Sequence, residues 1–546
     1  MTLNRRRFLK LGSLAASGAL LVSTPGAQRA PDPPPAPPTG RLPRPPLAVI
    51  ALSRLAFGPS PQALADFAAL PGADEGAQLT AWLDAQLHPE TLDDQACQAR
   101  LDALDLESLS KPVAEAWRDY YLNAPKEGDA RWQTIWRPTR QIRAAGLVRM
   151  MHSRRQLFEV AVNFWRDHFN VNPDKDERIP PVLAAFEEGV LRPHALGNFR
   201  ALLGAVARHP AMLYYLDNAS SSRAGPNENY ARELFELHTL GAGHYAGVKR
   251  QSEVRREGGV PAQYVDDDVY EATRAFTGWR VDDDPDEAGL TGSGAFTFHL
   301  PWHDRFQKTV LGRYLPPNQG AADGEAVLDA LAAHPGTAQH IALKLARRLV
   351  ADDPPEALVR EAARVFLAQQ RAPDQLRQVI GSIARSAAFR ETWGEKIKRP
   401  LEALVASFRA LEAQLTVDDD LLWVTEWMGQ PLYGHRPPDG YPDTRAAWDG
   451  SLAMARRWQL ARSLTHNWND HVRVDLLAAH PKDLRDPGAV ADHWARRLLG
   501  RPLSGAGRAA VLSALDVGGP LSDQDLSDRL PDAVSLIVMS PEFQAS

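Results

Sequence analysis

Three places in this chain set an imidazole beside a carboxylate. That pairing serves proton transfer and, with further donors, metal binding. His168 follows Asp167 at the end of the apolar run Leu157-Phe-Glu-Val-Ala-Val-Asn-Phe-Trp-Arg-Asp-His-Phe169. His238 comes five residues after Glu233 in Gly225-Pro-Asn-Glu-Asn-Tyr-Ala-Arg-Glu-Leu-Phe-Glu-Leu-His-Thr-Leu-Gly241. His303 precedes Asp304 in Phe298-His-Leu-Pro-Trp-His-Asp-Arg-Phe-Gln-Lys308. The candidate catalytic residues are therefore His168, Glu233, His303 and Asp304, with His238 as a further one. Two histidines, an aspartate and a lysine within the third segment leave a divalent metal open as a cofactor. No His-Glu-x-x-His, Glu-x-x-His or EF-hand pattern specifies one. The chain also lacks the Gly-x-Ser-x-Gly elbow, a phosphate-binding glycine loop and the dinucleotide fingerprint, which disfavours those enzyme classes.

The elements that must position these groups read as helices. Pro226 and Gly241 bracket a helix of about four turns with Tyr230, Leu234 and Leu237 on one face and His238 beside them. Glu228, Arg232 and Glu236 fall at i, i+4 and i+8 on the other face, as a solvated ion-pair ladder, while Glu233 lies at the border. In the run from Leu157, Phe158, Val162, Trp165 and Phe169 share a face that includes His168, Asp167 marks its edge, and Glu159, Asn163 and Arg166 are expected to point away. His303 and Asp304 belong to a loop, because Pro301 keeps that stretch from being helical. A histidine in apolar surroundings loses its charged form unless a carboxylate supports it, so Glu233 and Asp167 are the expected partners of the two helical rings. The other reading of each ring is a core histidine bonded to backbone.

Amphipathic segments continue from Leu47 to about Leu464, and strand signals are sparse. The expected fold is mainly α, a multi-helix globular body with long loops and at most a short β-hairpin, one arm of which is Gly294-Ala-Phe-Thr-Phe-His299. The expected divisions are a signal segment at 1–30, a proline-rich spacer at 31–46, a helical body at 47–415 and a C-terminal helical region at 416–546 packed on it. Residues 249–263 and 282–294 read as surface loops. His209-Pro210 and His334-Pro335 end helical runs, where a cationic ring would suit the helix dipole. Aromatics among prolines, from Met428-Gly-Gln-Pro-Leu-Tyr433 through Pro437-Pro-Asp-Gly-Tyr-Pro-Asp443 to Trp448, could stack on a sugar or peptide or simply pack on the body.

Asn4-Arg-Arg-Arg-Phe-Leu-Lys10 followed by the short apolar stretch Leu11 to Val22 reads as a twin-arginine signal for export of folded protein. The expected location is the periplasm or cell envelope, with the export machinery as a partner and membrane contact only through the N-terminal segment. Nine prolines between Pro31 and Pro46 form an extended spacer. A formal net charge of -6, which includes the cations of the signal, disfavours nucleic acid as a partner. One cysteine, Cys97, leaves stability to packing.

Asn227 to Gly241, Gly278-Trp279, His303-Asp304 with Lys308 and Gly312, His334-Pro-Gly-Thr-Ala338 and Met428-Gly-Gln430 together resemble the bacterial domain-of-unknown-function family 1800 from about Leu52 to Leu464. The resemblance implies an exported, mostly helical protein without an assigned activity, whose genes often neighbour those of an exported sulfatase-like family. It supplies no catalytic residue, and the position of His238 can be Phe in relatives. This chain departs from the family in a charged insertion around Arg250 to Val260. Two functions follow as expectations. One is an envelope hydrolase using acid/base or metal-assisted chemistry in a helical cleft. The other is a non-catalytic scaffold that binds a co-exported sulfatase-like partner or an envelope polymer.

Overall fold

The computed structural model describes residues 42–468 and 471–546. The signal segment and most of the spacer lie outside the described residues. Helices follow one another along nearly the whole described chain, so the fold is mainly α. Among the described residues, strands form four two-stranded antiparallel sheets. The expected arm Phe296–Phe298 pairs with Trp279–Val281, in the register Trp279↔Phe298 and Val281↔Phe296. A second hairpin, Lys308–Val310 with Arg313–Leu315, turns through Leu311 and Gly312, both at positive φ. Two such residues make the turn that suits strand twist, and glycine takes its share without strain.

One continuous apolar core runs from Leu47 to Ala545, so the C-terminal helices share it with the body. Ser451–Thr465, Gly505–Leu515 and Asp523–Met539 pack together there. The last residues are held as well: Lys398 N donates to Gln544 O at 2.9 Å, and Ser546 N donates to Lys396 O at 3.1 Å. Cys97 is buried, and burial pushes its thiol up to about 12, which disfavours the reactive thiolate.

Gln156–His168 is more deeply placed than its sequence pattern suggests. Glu159, Asn163 and Arg166 do not face water; all three are buried. Each enters the core because a partner meets it. Arg192 bonds both oxygens of Glu159 at 2.8 and 2.9 Å, and Arg166 bonds both oxygens of Glu187 at 2.8 and 2.9 Å. Asn163 Oδ1 accepts from Arg399 Nη2 at 2.6 Å and from Arg348 Nη2 at 3.2 Å. The helix is thus a central strut held by paired charge on the side where solvent was expected.

Two histidines act differently from the dipole expectation. His209 Nδ1 accepts from Ala211 N at 3.2 Å and His334 Nδ1 from Gly336 N at 2.9 Å, so each ring caps the N-terminus of the helix after its proline. An accepting ring nitrogen carries no proton, and a neutral ring fits the orphan amides of a helix start. Burial agrees, taking His209 down to about 3 and lowering His334.

The segment between Met428 and Trp448 lies across the C-terminal end of Gln156–His168. Just past that end, Asn170 Nδ2 donates to His435 O at 2.9 Å and to Pro437 O at 2.7 Å, and Asn172 Nδ2 donates to His435 O at 3.1 Å. Tyr215 adds a bond to Arg436 O at 2.7 Å. Gly440, at φ +75°, presses its backbone onto Asp167, where a Cβ would come within 1.9 Å of the carbonyl oxygen. Only glycine permits that approach.

Candidate functional site

Where this loop crosses the helix end, a cavity of about 200 Å³ remains. Phe164, Asp167 and His168 form one wall, Lys344 and Arg347 of the helix Pro335–Leu349 another, and Asp439 to Thr444 close it. Its volume falls below the roughly 300–1,000 Å³ of pockets for drug-sized ligands, so it suits a single small polar group or the end of a longer molecule.

His168 is buried, and its Nε2 stands 3.2 Å from His238 O. A carbonyl can only accept, so Nε2 carries the proton and Nδ1 is left as an acceptor. That Nδ1 is buried without a hydrogen-bond partner among the described residues. Burial, reinforced by Lys344 and by the rings of His238 and His340, holds the pKa of His168 well below the usual imidazole range. Phe164 stacks on the ring at 6.0 Å, while Trp165 and Phe169 meet it edge-on at 5.4 and 4.5 Å.

Asp167 does not support its neighbour. Its Oδ2 receives Arg399 Nη1 at 2.6 Å, and Arg399 Nη1 also lies 3.4 Å from Asp443 Oδ1. Burial pushes the Asp167 carboxyl up against the pull of Arg399. Arg348 and Glu402 complete this ionic floor, with Glu402 paired to both arginines. Asp439 bonds His435 Nε2 at 2.8 Å. Each cavity carboxylate therefore has a partner, Asp167 and Asp443 sharing Arg399 and Asp439 meeting His435. Lys344 has none: the half-buried amine makes no hydrogen bond or ion pair among the described residues. Burial lowers its pKa, opposed first by Asp443 and then by Asp167 and Asp439.

Of the sequence candidates, the structure brings together His168 and His238, with ring centres 6.1 Å apart, and adds His340 at 6.4 Å from His168. His238 ends a π-helical turn, Leu234–His238, that follows the α-helical Asn229–Glu233. Both of its ring nitrogens are buried without partners, and burial takes it down to about 3. Glu233 is half-buried and has no hydrogen-bond or ion-pair partner among the described residues. Burial and then the charge of Glu236 raise its pKa; Asp439 adds to the rise, which relates Glu233 to the cavity wall electrostatically. One rung of the expected ladder is present, Arg232 lying 3.4 Å from Glu228; among the described residues its second ion pair is with Asp266 at 3.7 Å and not with Glu236.

His303 and Asp304 belong to a second cluster that contributes nothing to the cavity lining. His303 Nδ1 lies 2.8 Å from Thr277 O, and Nε2 lies 3.1 Å from Asp323 Oδ2. Lys308 Nζ donates to the same Oδ2 at 2.8 Å and to the carbonyls of Asp304 and Phe306 at 2.7 and 2.9 Å. The Asp304 carboxylate is clasped by Arg274 through two bonds of 3.0 Å. Asp304 thus turns away from the histidine it adjoins in sequence. Among the described residues, no group of three or more His, Cys, Asp and Glu side chains is arranged to hold a metal ion.

Sequence reasoning missed Lys344, Arg347, His340, Asp439 and Asp443 as site residues. The loop Pro437 to Asp443 stood out for its aromatics, yet its acidic residues reach the cavity too, beside Tyr441, while Tyr433 and Trp448 pack elsewhere. Tyr433 donates to Glu187 at 2.6 Å, Tyr441 to Pro431 O at 3.0 Å and Trp448 to Pro442 O at 2.8 Å. The one signal for Lys344 was a lysine inside the apolar run Ile341-Ala-Leu-Lys-Leu-Ala346.

The chain belongs to the family described as "Protein of unknown function (DUF1800)", whose model matches residues 50–545. The match extends past the resemblance read from sequence and takes in the C-terminal helices. No curated protein and no solved structure matches the chain.

Proposed function

We propose that this is an exported envelope protein whose cavity at the end of Gln156–His168 performs acid/base hydrolysis on a small polar substrate or the end of an envelope polymer. The observation that carries the reading is the orientation of His168. With Nε2 donating to His238 O, Nδ1 is the unprotonated, unpartnered nitrogen of a ring that lines the cavity, and it is the atom that would take a proton from water or a substrate hydroxyl. Lys344 supplies donors across the cavity, and Glu233, with its raised pKa, is the nearby carboxyl that can hold a proton at higher pH than an ordinary glutamate. The paired charges beneath hold the lining in place before substrate arrives.

Export to the periplasm or envelope by the twin-arginine route is supported by Asn4 to Lys10 and the apolar stretch after it. The partnership with a sulfatase-like protein rests on the family resemblance. The aromatic loop that a scaffold would offer is largely engaged in packing, which favours the cavity over that surface as the working part.

The test is a panel of esters, amides and glycosides with wild type, His168→Gln and Glu233→Gln, each checked for a native unfolding profile. Turnover in wild type that drops by about 10²-fold or more in His168→Gln supports the reading. Turnover unaffected by His168→Gln would refute it.

A further inference from the structure

Buried and half-buried lysines in this protein are consistently engaged, with one exception. Lys308 has Asp323 and two carbonyls, Lys396 bonds Asp352 at 2.8 Å and Asp443 O at 2.7 Å, and Lys398 bonds the carbonyls of Phe543 and Ala545. Lys111 and Lys175, nearer the surface, pair with Asp119 and Asp217. Lys344 alone lines a cavity and meets no acceptor among the described residues, although three carboxylates stand in the same lining. Those carboxylates are occupied by Arg399 and His435. An amine left in this way is available to a ligand, and partial desolvation favours its uncharged, nucleophilic form.

The groups that face Lys344 are Asp167 and His168 from one helix, Asp439, Tyr441 and Asp443 from the loop, and Arg347 from its own helix, with His340 one turn away and His238 behind His168. Acceptor-bearing side chains dominate the lining around Lys344: Asp167, Asp439, Asp443 and His168. A carbonyl compound that also carries hydroxyl donors would be complementary to such a lining.

We propose that Lys344 captures a small hydroxylated aldehyde or ketone, such as an open-chain sugar, as a Schiff base in this cavity. This goes beyond the hydrolytic reading and rests on it only in taking the same cavity as a reaction site. The amine lone pair forms a bond to the carbonyl carbon while the C=O π pair moves to oxygen. The extra N–H proton passes to His168 Nδ1. Returned to the alkoxide oxygen together with the second N–H proton, it lets that oxygen leave as water and the C=N bond form. One amine and one carbonyl give one imine and one water, with no change in oxidation state, and hydrolysis reverses the step.

The experiment treats the full-length folded protein with glyceraldehyde and sodium cyanoborohydride near neutral pH, and reads the reduced adduct at each lysine by peptide mass spectrometry. Lys344 is expected to label severalfold faster than the exposed Lys126 and Lys249, because its amine is held in a cavity without an acceptor. Its labelling should reach half-maximum at lower pH than theirs, and His168→Gln should slow labelling at Lys344 while leaving Lys126 unchanged. Labelling of Lys344 no faster than that of the exposed lysines would overturn the proposal. Turnover of hydrolase substrates without trapping at Lys344 defeats the Schiff base and leaves the acid/base reading standing. Trapping without any turnover does the reverse.

Discussion

The two histidine clusters of this protein have similar ingredients and differ in how far their bonds are completed, the one around His303 leaving only Asp323 Oδ1 without a partner among the described residues. Around His303, a ring, two aspartates, a lysine and an arginine are joined through hydrogen bonds of 2.7 to 3.1 Å, and both ring nitrogens are engaged. Around His168, a ring, three aspartates, a lysine and an arginine line a cavity, and one ring nitrogen and the lysine remain without partners among the described residues. Buried polar groups are normally satisfied, and leaving one unsatisfied costs about 1–3 kcal/mol. The first cluster uses its charges to hold a loop against Asp266–Phe276; the second keeps its polar groups available. Composition alone does not distinguish them.

The comparison breaks most readily at Asp323. Asp323→Ala would strand Lys308 and His303 in the interior, and loss of one member of a buried pair costs about 3–5 kcal/mol. Urea denaturation should show that loss. A change below about 1 kcal/mol would mean the cluster is not the clamp described.

Acidification should act next. Burial lowers the pKa of His168 and takes His209 and His238 down to about 3 and His340 to about 4 in the folded state. The unfolded chain binds these protons at about 6.5. A depressed pKa means the folded state binds fewer protons, so stability is unaffected above 6.5 and falls as pH drops from there towards 4. Each ring contributes up to about 1.4 kcal/mol per pH unit. Denaturation midpoints at pH 7.5, 6 and 5 check the sign, and a midpoint that rises on acidification would contradict neutral buried rings.

Gly440→Ala should cost about 1–3 kcal/mol, from a strained φ and a clash with Asp167 O. It should also change the labelling rate of Lys344, because the loop forms the cavity's outer wall. The same stability loss with unchanged labelling would separate the loop from the site. Arg232→Ala gives the smallest effect, a few tenths of a kcal/mol in thermal unfolding, because its pairs with Glu228 and Asp266 are partly solvated.

Much of the fold was legible because helical periodicity and proline–glycine punctuation are local signals. They placed Gln156–His168 and Phe296–Phe298 and the burial of His238. Family membership was legible too, carried by short ordered motifs such as Asn227 to Gly241. Periodicity failed for Glu159, Asn163 and Arg166, because a polar stripe reads as solvent-facing unless the distant Arg192, Glu187 and Arg399 are known to meet it. It failed for the two capping histidines because a residue that ends one helix can begin another.

The sequence by itself determined the helical class, the apolar setting of His168 and the presence of paired imidazoles and carboxylates, since these follow from residue type and spacing within a turn or two. Only the tertiary structure decided which pairs were completed. Asp167 went to Arg399 over a separation of 232 residues, Asp304 went to Arg274, and Lys344 was left open beside His168. The physical reason is that a charge in a folded interior is assigned by whichever partner the packing of distant helices brings within about 3 Å, and neighbours in the chain have no priority in that competition.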